Sequence, residues 1–319
     1  MQFDLVIRQG RVVDPETRFD DVADVGIVGD RIVAIDTRLP AGKTELDASG
    51  LVVAPGFIDL HAHGQTVSAD RMQAFDGVTT ALELEVGALP VDAWYATQER
   101  RGRVLNYGAS AAWMFARKSV MTSLALDGRL EPMEMLGAGV DDPRWSTDVA
   151  SPEQTERIVD LVRQGLDQGA LGIGIPHGYA AGAGMKEMVR ICQLAAERSV
   201  PTYTHVAYIS NVDPKSSIEA YVQLVGLAGT TGAHMHICHL NSTSLRDAEL
   251  AVELIRKAQD QGLPITTEAY PYGTGSTVLG AEFFFDPAYP EKTGTGYDAI
   301  QLVSSGRRFR NREELAQAR

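Results

Sequence analysis

The sequence predicts an α/β protein: a parallel (β/α) barrel in which seven of eight strands can be identified, preceded by a small β portion over residues 1–55. Two observations carry this. The first 55 residues alternate apolar and polar with glycine-containing turns, the period of half-buried strands. From Phe57 onward short apolar runs alternate with helical stretches, the pattern of repeated βα units feeding one parallel sheet.

In order, FDLVIRQGRVVD, DVGIVGDRIVAID and ELDASGLVVAPG read as strands of a small antiparallel β domain, turning at Gly-Arg, Gly-Asp and Ser-Gly. The barrel, residues 56–319, has candidate strands at Phe57–His63, Thr79–Glu85, Asn106–Trp113, Leu171–Ile175, Pro201–Val206, His234–Leu240 and Pro264–Tyr270. The clearest helix is Ser151–Gln168: Ser151 offers an N-cap, Pro152 suits the first turn, and Glu153 faces the positive end of the dipole. Its Ile158, Leu161, Val162 and Leu166 share a face, and Met185–Arg198 and Leu245–Gln261 repeat the spacing. Beyond Tyr272 a Gly-, Phe- and Pro-rich stretch leads to RRFRNREELAQAR, which ends in what reads as the middle of a helix. An open parallel sheet leaves edge groups unpaired, so the chain is expected to be a C-terminally truncated fragment of a longer protein.

Composition narrows the function. A hydrophobic share of 44% and a charged share of 22% are those of an ordinary globular chain. The net charge of −13 argues against nucleic acid and anionic membrane as partners and favours a small molecule. Cys192 and Cys238 each sit in an apolar run, as reduced core thiols do. The N-terminus lacks the pattern of a signal peptide and no apolar run approaches about 18 residues, so the cytoplasm is the expected location. Oligomeric state leaves no signature.

The strongest local signal is PGFIDLHAHG. His61 and His63, two apart at the end of a strand, present both imidazoles to one side and can bind one divalent ion, although a hydrogen-bonded structural pair has the same spacing. His205 in PTYTHV and His239 in HMHICHL end later strands and converge on the same rim of a barrel, giving four imidazoles for one or two metals. His234 and His236 have the opposite parity to His239 and read as structural; His177, in IPHGY, reads as a loop histidine. Glu83 and Glu85 share a face of TTALELEVG. Glu85, nearer the strand end, is a candidate bridging ligand or general base, unless both carboxylates pair with basic residues lower in the barrel.

These stretches, with DLVIRQGRVVDP, GALGIGIPHGYAAGAG, ICHLNSTS and EAYPYGTGST, resemble the amidohydrolase superfamily and, within it, the N-acyl-D-amino-acid deacylases, or D-aminoacylases. The resemblance implies a metal-dependent hydrolase-type barrel with a small β-sandwich, to which residues 1–55 contribute. It implies one or two Zn(2+) ions, or another divalent metal, and hydrolysis of an N-acyl amino acid. His61 and His63 correspond to one metal's ligands, His205 and His239 to the other's. The family cysteine at the end of the second strand is absent, and Glu85 would replace it, with Glu83 the poorer candidate. Tyr270 and Ser276 correspond to contacts for the substrate carboxylate, and Tyr179 to the tyrosine that orients the scissile carbonyl; Asn241 stands where the family has a lysine. No catalytic aspartate lies within the chain, the family's eighth-strand residue falling beyond Arg319. Two rivals are a cyclic amidase or dipeptidase, whose kind commonly carries a fourth-strand lysine that Leu171–Ile175 lacks, and a non-catalytic binding barrel or inactive fragment.

Overall fold

The computed structural model describes residues 2–318 and divides the chain into two compact units, one running to Ile58 with Gly77–Thr79, the other comprising Asp59–Asp76 and Thr80–Arg319. In the first unit, β1 (Leu5–Asp14) pairs antiparallel with β2 (Phe19–Val28), and β2 with β3 (Arg31–Asp36). The antiparallel expectation fails after that. β4 (Thr44–Asp47) and β5 (Val52–Val53) run parallel to β1, so the sheet is mixed. Alternation reports a half-buried strand but says nothing of the neighbour's direction. Val12, Ala23 and Val25 form a small core on one face. Gly29 turns the chain between β2 and β3 at a φ of +60°, and its N–H donates to the Asp4 carboxylate at 2.8 Å.

A seven-stranded sheet follows in strictly sequential order: β6 (Phe57–Asp59), β7 (Val78–Ala88), β8 (Asn106–Ala112), β9 (Ile173–Pro176), β10 (Thr202–His205), β11 (Met235–Ile237) and β12 (Ile265–Thr267). From β7 to β12 each adjacent pair is parallel. Helices occupy the connections, among them Val91–Arg101, Pro152–Asp167, Met185–Arg198, Ser217–Thr231 and Ala248–Asp260. The helix at Pro152 has the expected cap and adds a reciprocal bond, Ser151 Oγ accepting from Gln154 N–H while the Gln154 side chain accepts from Ser151 N–H. Its Ile158, Val159 and Val162 are fully buried in the main core with Trp113, Ile173 and Ile191.

Several strands stop earlier than their apolar runs. Trp113 opens a helix, Trp113–Thr122, rather than closing β8. The run His234–Leu240 is a strand only to Ile237; His239 has a φ of +33° and Leu240 begins a short helix. Leu245–Asp247 forms a separate 3-10 turn ahead of the helix at Ala248. Apolar periodicity cannot see such breaks, because a buried residue just past a strand end is as apolar as one inside it. The stretch beyond Tyr272 folds into short helical turns and a hairpin, Gln301–Leu302 with Arg307–Arg308, and buries Phe284, Tyr289, Phe309 and Leu315.

Two cations lie in the core beside the barrel. Arg117 is fully buried, pairing with Glu187 and donating to the carbonyls of Trp145 and Asp148, while Trp113 Nε1–H donates to Glu187 at 2.8 Å. Lys118 donates to the carbonyls of Met135, Leu136 and Ala138 at 2.7–3.0 Å and lies 4.3 Å over the Trp145 ring. Both sites satisfy the helical turns between β8 and β9, which would otherwise bury bare carbonyls.

Candidate metal centre

Five residues singled out from sequence meet at the C-terminal ends of the strands. β6 and the extended residues after it carry His61 and His63, β7 carries Glu85, β10 ends on His205, and the turn after β11 presents His239. Glu85 is buried at the middle of the group. Its Oε2 lies 3.1 Å from His61 Nε2 and 3.3 Å from His63 Nε2; its Oε1 lies 3.0 Å from His205 Nδ1 and 2.8 Å from His239 Nε2. The histidines pair in the same way, 3.0 Å apart in the first pair and 3.1 Å in the second. Each carboxylate oxygen therefore faces one imidazole pair. Burial disfavours the Glu85 carboxylate, but four histidines outweigh it and hold the group well below the usual carboxylate range.

The alternative in which both glutamates pair with basic residues lower in the barrel is not what the fold builds. Glu83, fully buried, holds His63 Nδ1 at 2.9 and 3.1 Å through its two oxygens. Sequence reasoning missed Glu268, which follows β12. Its carboxylate engages His61 Nδ1, lies 3.3 Å from His236 Nε2, and accepts from the His239 backbone N–H at 3.3 Å. The signal was present, since Glu268 opens the EAYPYGTGST stretch and, like Glu85, is an acid at the end of a barrel strand.

His236 is one contact from the centre through Glu268, and both it and His234 bond Thr266 Oγ1, at 2.8 and 2.9 Å. The parity that separated His239 from His236 does not operate, because His239 stands in a left-handed turn outside the strand. His177 is buried with Nε2 3.0 Å from the Ala183 carbonyl, a fold-holding contact. Cys192 and Cys238 are free and buried. Cys238 comes close to His61 and Glu268, but burial pushes its thiol well up, so it stays protonated.

The donor chemistry fits a divalent cation. Glu268 and Glu83 are acceptors, so the Nδ1 atoms they engage carry hydrogen, and the Nε2 lone pairs of His61 and His63 converge on Glu85 Oε2. Three acceptors within about 3 Å require positive charge among them. Imidazole and carboxylate donors suit zinc and similar borderline ions. Without metal, protons serve: burial opposes charge on His61, yet Glu268 and Glu85 raise it to about 9. Below the ordinary value of 6.5 this ion pairing contributes to stability in full, because the imidazole is charged folded and unfolded. Between 6.5 and about 9 only the folded chain keeps the proton, and the contribution is lost. Metal-free protein is expected to lose roughly 3 kcal/mol of stability from this group over that window. Urea denaturation at the two ends checks it, and an unchanged unfolding free energy would refute it.

A cleft of about 610 Å³ opens over the group, lined by Tyr179, Tyr270, Ser276, Met133, Leu136 and Phe283 among others. Tyr179 is buried, its hydroxyl 2.5 Å from Thr277 Oγ1 and its ring 5.1 Å from that of His205. Asn241 faces the chain rather than the cleft: its amide donates to the Tyr270 carbonyl at 2.8 Å and accepts from the Tyr270 N–H at 3.2 Å.

Known proteins were compared with this arrangement. The family model described as "Amidohydrolase family" matches residues 44–306. An allantoinase from Escherichia coli O9:H4 (strain HS) is 26% identical over 301 residues, covering 85% of this chain and 59% of its own length. Among solved structures, N-acyl-D-glutamate deacylase from Bordetella bronchiseptica, complexed with zinc and a phosphonate inhibitor, has a TM-score of 0.70 at 22% identity, covering 88% of this chain and 60% of its own. A D-aminoacylase has a TM-score of 0.69 at 22% identity, covering 87% and 60%. The chain thus spans about 60% of the length of these relatives.

Proposed function

The chain belongs to the amidohydrolase family, and from that premise we propose that the protein of which it is part removes the acyl group from an N-acyl-D-amino acid with the help of zinc. The observation that carries this is the Glu85 carboxylate between two imidazole pairs, a donor set for one or two ions beneath a cleft of small-molecule size. Bound there, a divalent cation supplies Lewis acidity to an amide carbonyl and makes water acidic enough to ionise near neutrality. The chain's own residues position the substrate. Burial pushes Tyr179 up, so its hydroxyl stays a hydrogen-bond donor at working pH and can orient the carbonyl. Tyr270 and Ser276, both on the cleft wall, are placed to hold the amino-acid carboxylate. The resemblance assigns proton transfer to an aspartate of an eighth strand, outside the residues given.

A second reading, hydrolysis of a cyclic amide, is favoured by the allantoinase likeness. Against it, β9 and the two residues before it read LGIGIP and provide no lysine. The test is steady-state turnover by metal-loaded, full-length protein on N-acetyl-D-amino acids, their L isomers, hydantoin and allantoin. Turnover of D substrates above the rest is the expected result; turnover confined to the cyclic amides would replace the assignment with the second reading. No turnover of any of them, by protein shown to retain metal, would remove both.

A further inference from the structure

We propose that Glu83 and Glu268 are positioning carboxylates that make the His61–His63 half of the centre the tighter-binding half. The proposal rests on the metal reading above. Each carboxylate engages the Nδ1 of one histidine in the His-x-His pair, Glu83 on His63 and Glu268 on His61. That contact fixes the Nδ1–H tautomer and the ring plane, leaves Nε2 as the lone pair facing Glu85, and makes the imidazole more electron-rich.

The other half is built differently. His205 turns Nδ1 toward Glu85, and its Nε2 is buried without a hydrogen-bond partner; His239 turns Nε2 inward, and its Nδ1 is likewise buried and unpaired. Neither ring has a carboxylate behind it. Gly178 packs against the back of His205, where an added Cβ would lie 2.9 Å from Cδ2 and 3.2 Å from Nε2, so a glycine stands where a polar partner would otherwise sit. Both halves share Glu85, so the difference between them lies in what stands behind the rings.

Glu268 also ties the halves together in space. It accepts from the His239 backbone N–H and contacts His236, whose other nitrogen bonds Thr266, so its carboxylate is held by three partners from different parts of the chain. Glu83 is fully buried and Glu268 about one-fifth exposed, which makes Glu268 the better position to substitute.

The experiment is calorimetric titration of metal-stripped protein with Zn(2+), together with 15N-histidine spectra of the zinc-loaded protein. Wild type is expected to bind in a tight and a weaker step. Substitution E268Q, which keeps an acceptor but loses the charge, and E268A, which loses both, are expected to weaken the tight step within the range of about 10–100-fold, the alanine more. The weaker step should not move. The spectra should show Nε2 metal-shifted and Nδ1 protonated for His61 and His63, but Nδ1 metal-shifted for His205. A merely structural role for Glu268 would lower both steps together or neither, and either result overturns the proposal. So does Nδ1 ligation by His61 or His63, a readout on the wild type that stands even where a variant fails to fold. If wild type takes up no zinc at all, the metal reading itself falls and takes this proposal with it; zinc uptake with an unmoved tight step overturns this proposal alone.

Discussion

Glu85→Gln is expected to cost the protein its divalent metal and to lower kcat/KM on its substrate by about a thousandfold or more, which corresponds to roughly 4 kcal/mol of transition-state stabilisation. The substitution preserves shape and changes two things. The negative charge between the imidazole pairs disappears, and one of the two oxygens becomes an N–H donor aimed at two nitrogen atoms within about 3 Å. A cation between two neutral imidazoles and an amide has lost most of its compensation, so retention through gel filtration should fail. Metal content by elemental analysis and turnover under saturating zinc separate the two effects. Glu85→Cys is the informative companion: a thiolate at this place corresponds to the donor the sequence resemblance implies, and it should restore metal while shifting preference toward softer ions. Wild-type metal content and turnover in Glu85→Gln would show that the carboxylate does not serve as a ligand.

A second large effect is expected far from the cleft. Glu187→Ala should destabilise the protein by about 3–5 kcal/mol in urea denaturation, because it leaves the Arg117 guanidinium buried with only the Trp145 and Asp148 carbonyls to receive it. Trp113 Nε1 loses its acceptor in the same step. Burial already lowers Arg117 from its ordinary value and raises Glu187, the direction in which each charge is disfavoured. The same removal at Asp160, whose exposed pair with Arg163 lies on the helix surface, should cost no more than about 1 kcal/mol. The double change Arg117→Met with Glu187→Leu should recover much of the loss, since it removes both buried charges. A loss for Glu187→Ala no larger than that for Asp160→Ala would mean that the buried pair is not energetically distinct.

How much of the site was legible beforehand follows from what strand geometry preserves. His61 and His63 were legible because period-2 alternation and the apolar run before them need no partner to be read. Glu85 was legible as an acid that a barrel strand has no inexpensive way to bury. Glu268 was not singled out, although it touches three of the histidines, because the case for a carboxylate behind a ligand arises only when the ligand's ring is oriented in space. His239 was placed correctly for an inapplicable reason: alternation ends at Ile237, and a positive φ rather than parity turns the side chain inward.

By itself the sequence determined the βα repetition, the strand order that follows from it, and which residue types could meet at the strand ends. Those are properties of local period and of short, sequential connections. Only the tertiary structure decided that β4 and β5 run parallel to β1, that Asn241 serves the Tyr270 backbone, and that each Glu85 oxygen faces its own histidine pair with a carboxylate behind only one of them. Hydrogen-bond direction, ring tautomer and pairing across about 180 residues of chain depend on distances that no local pattern contains.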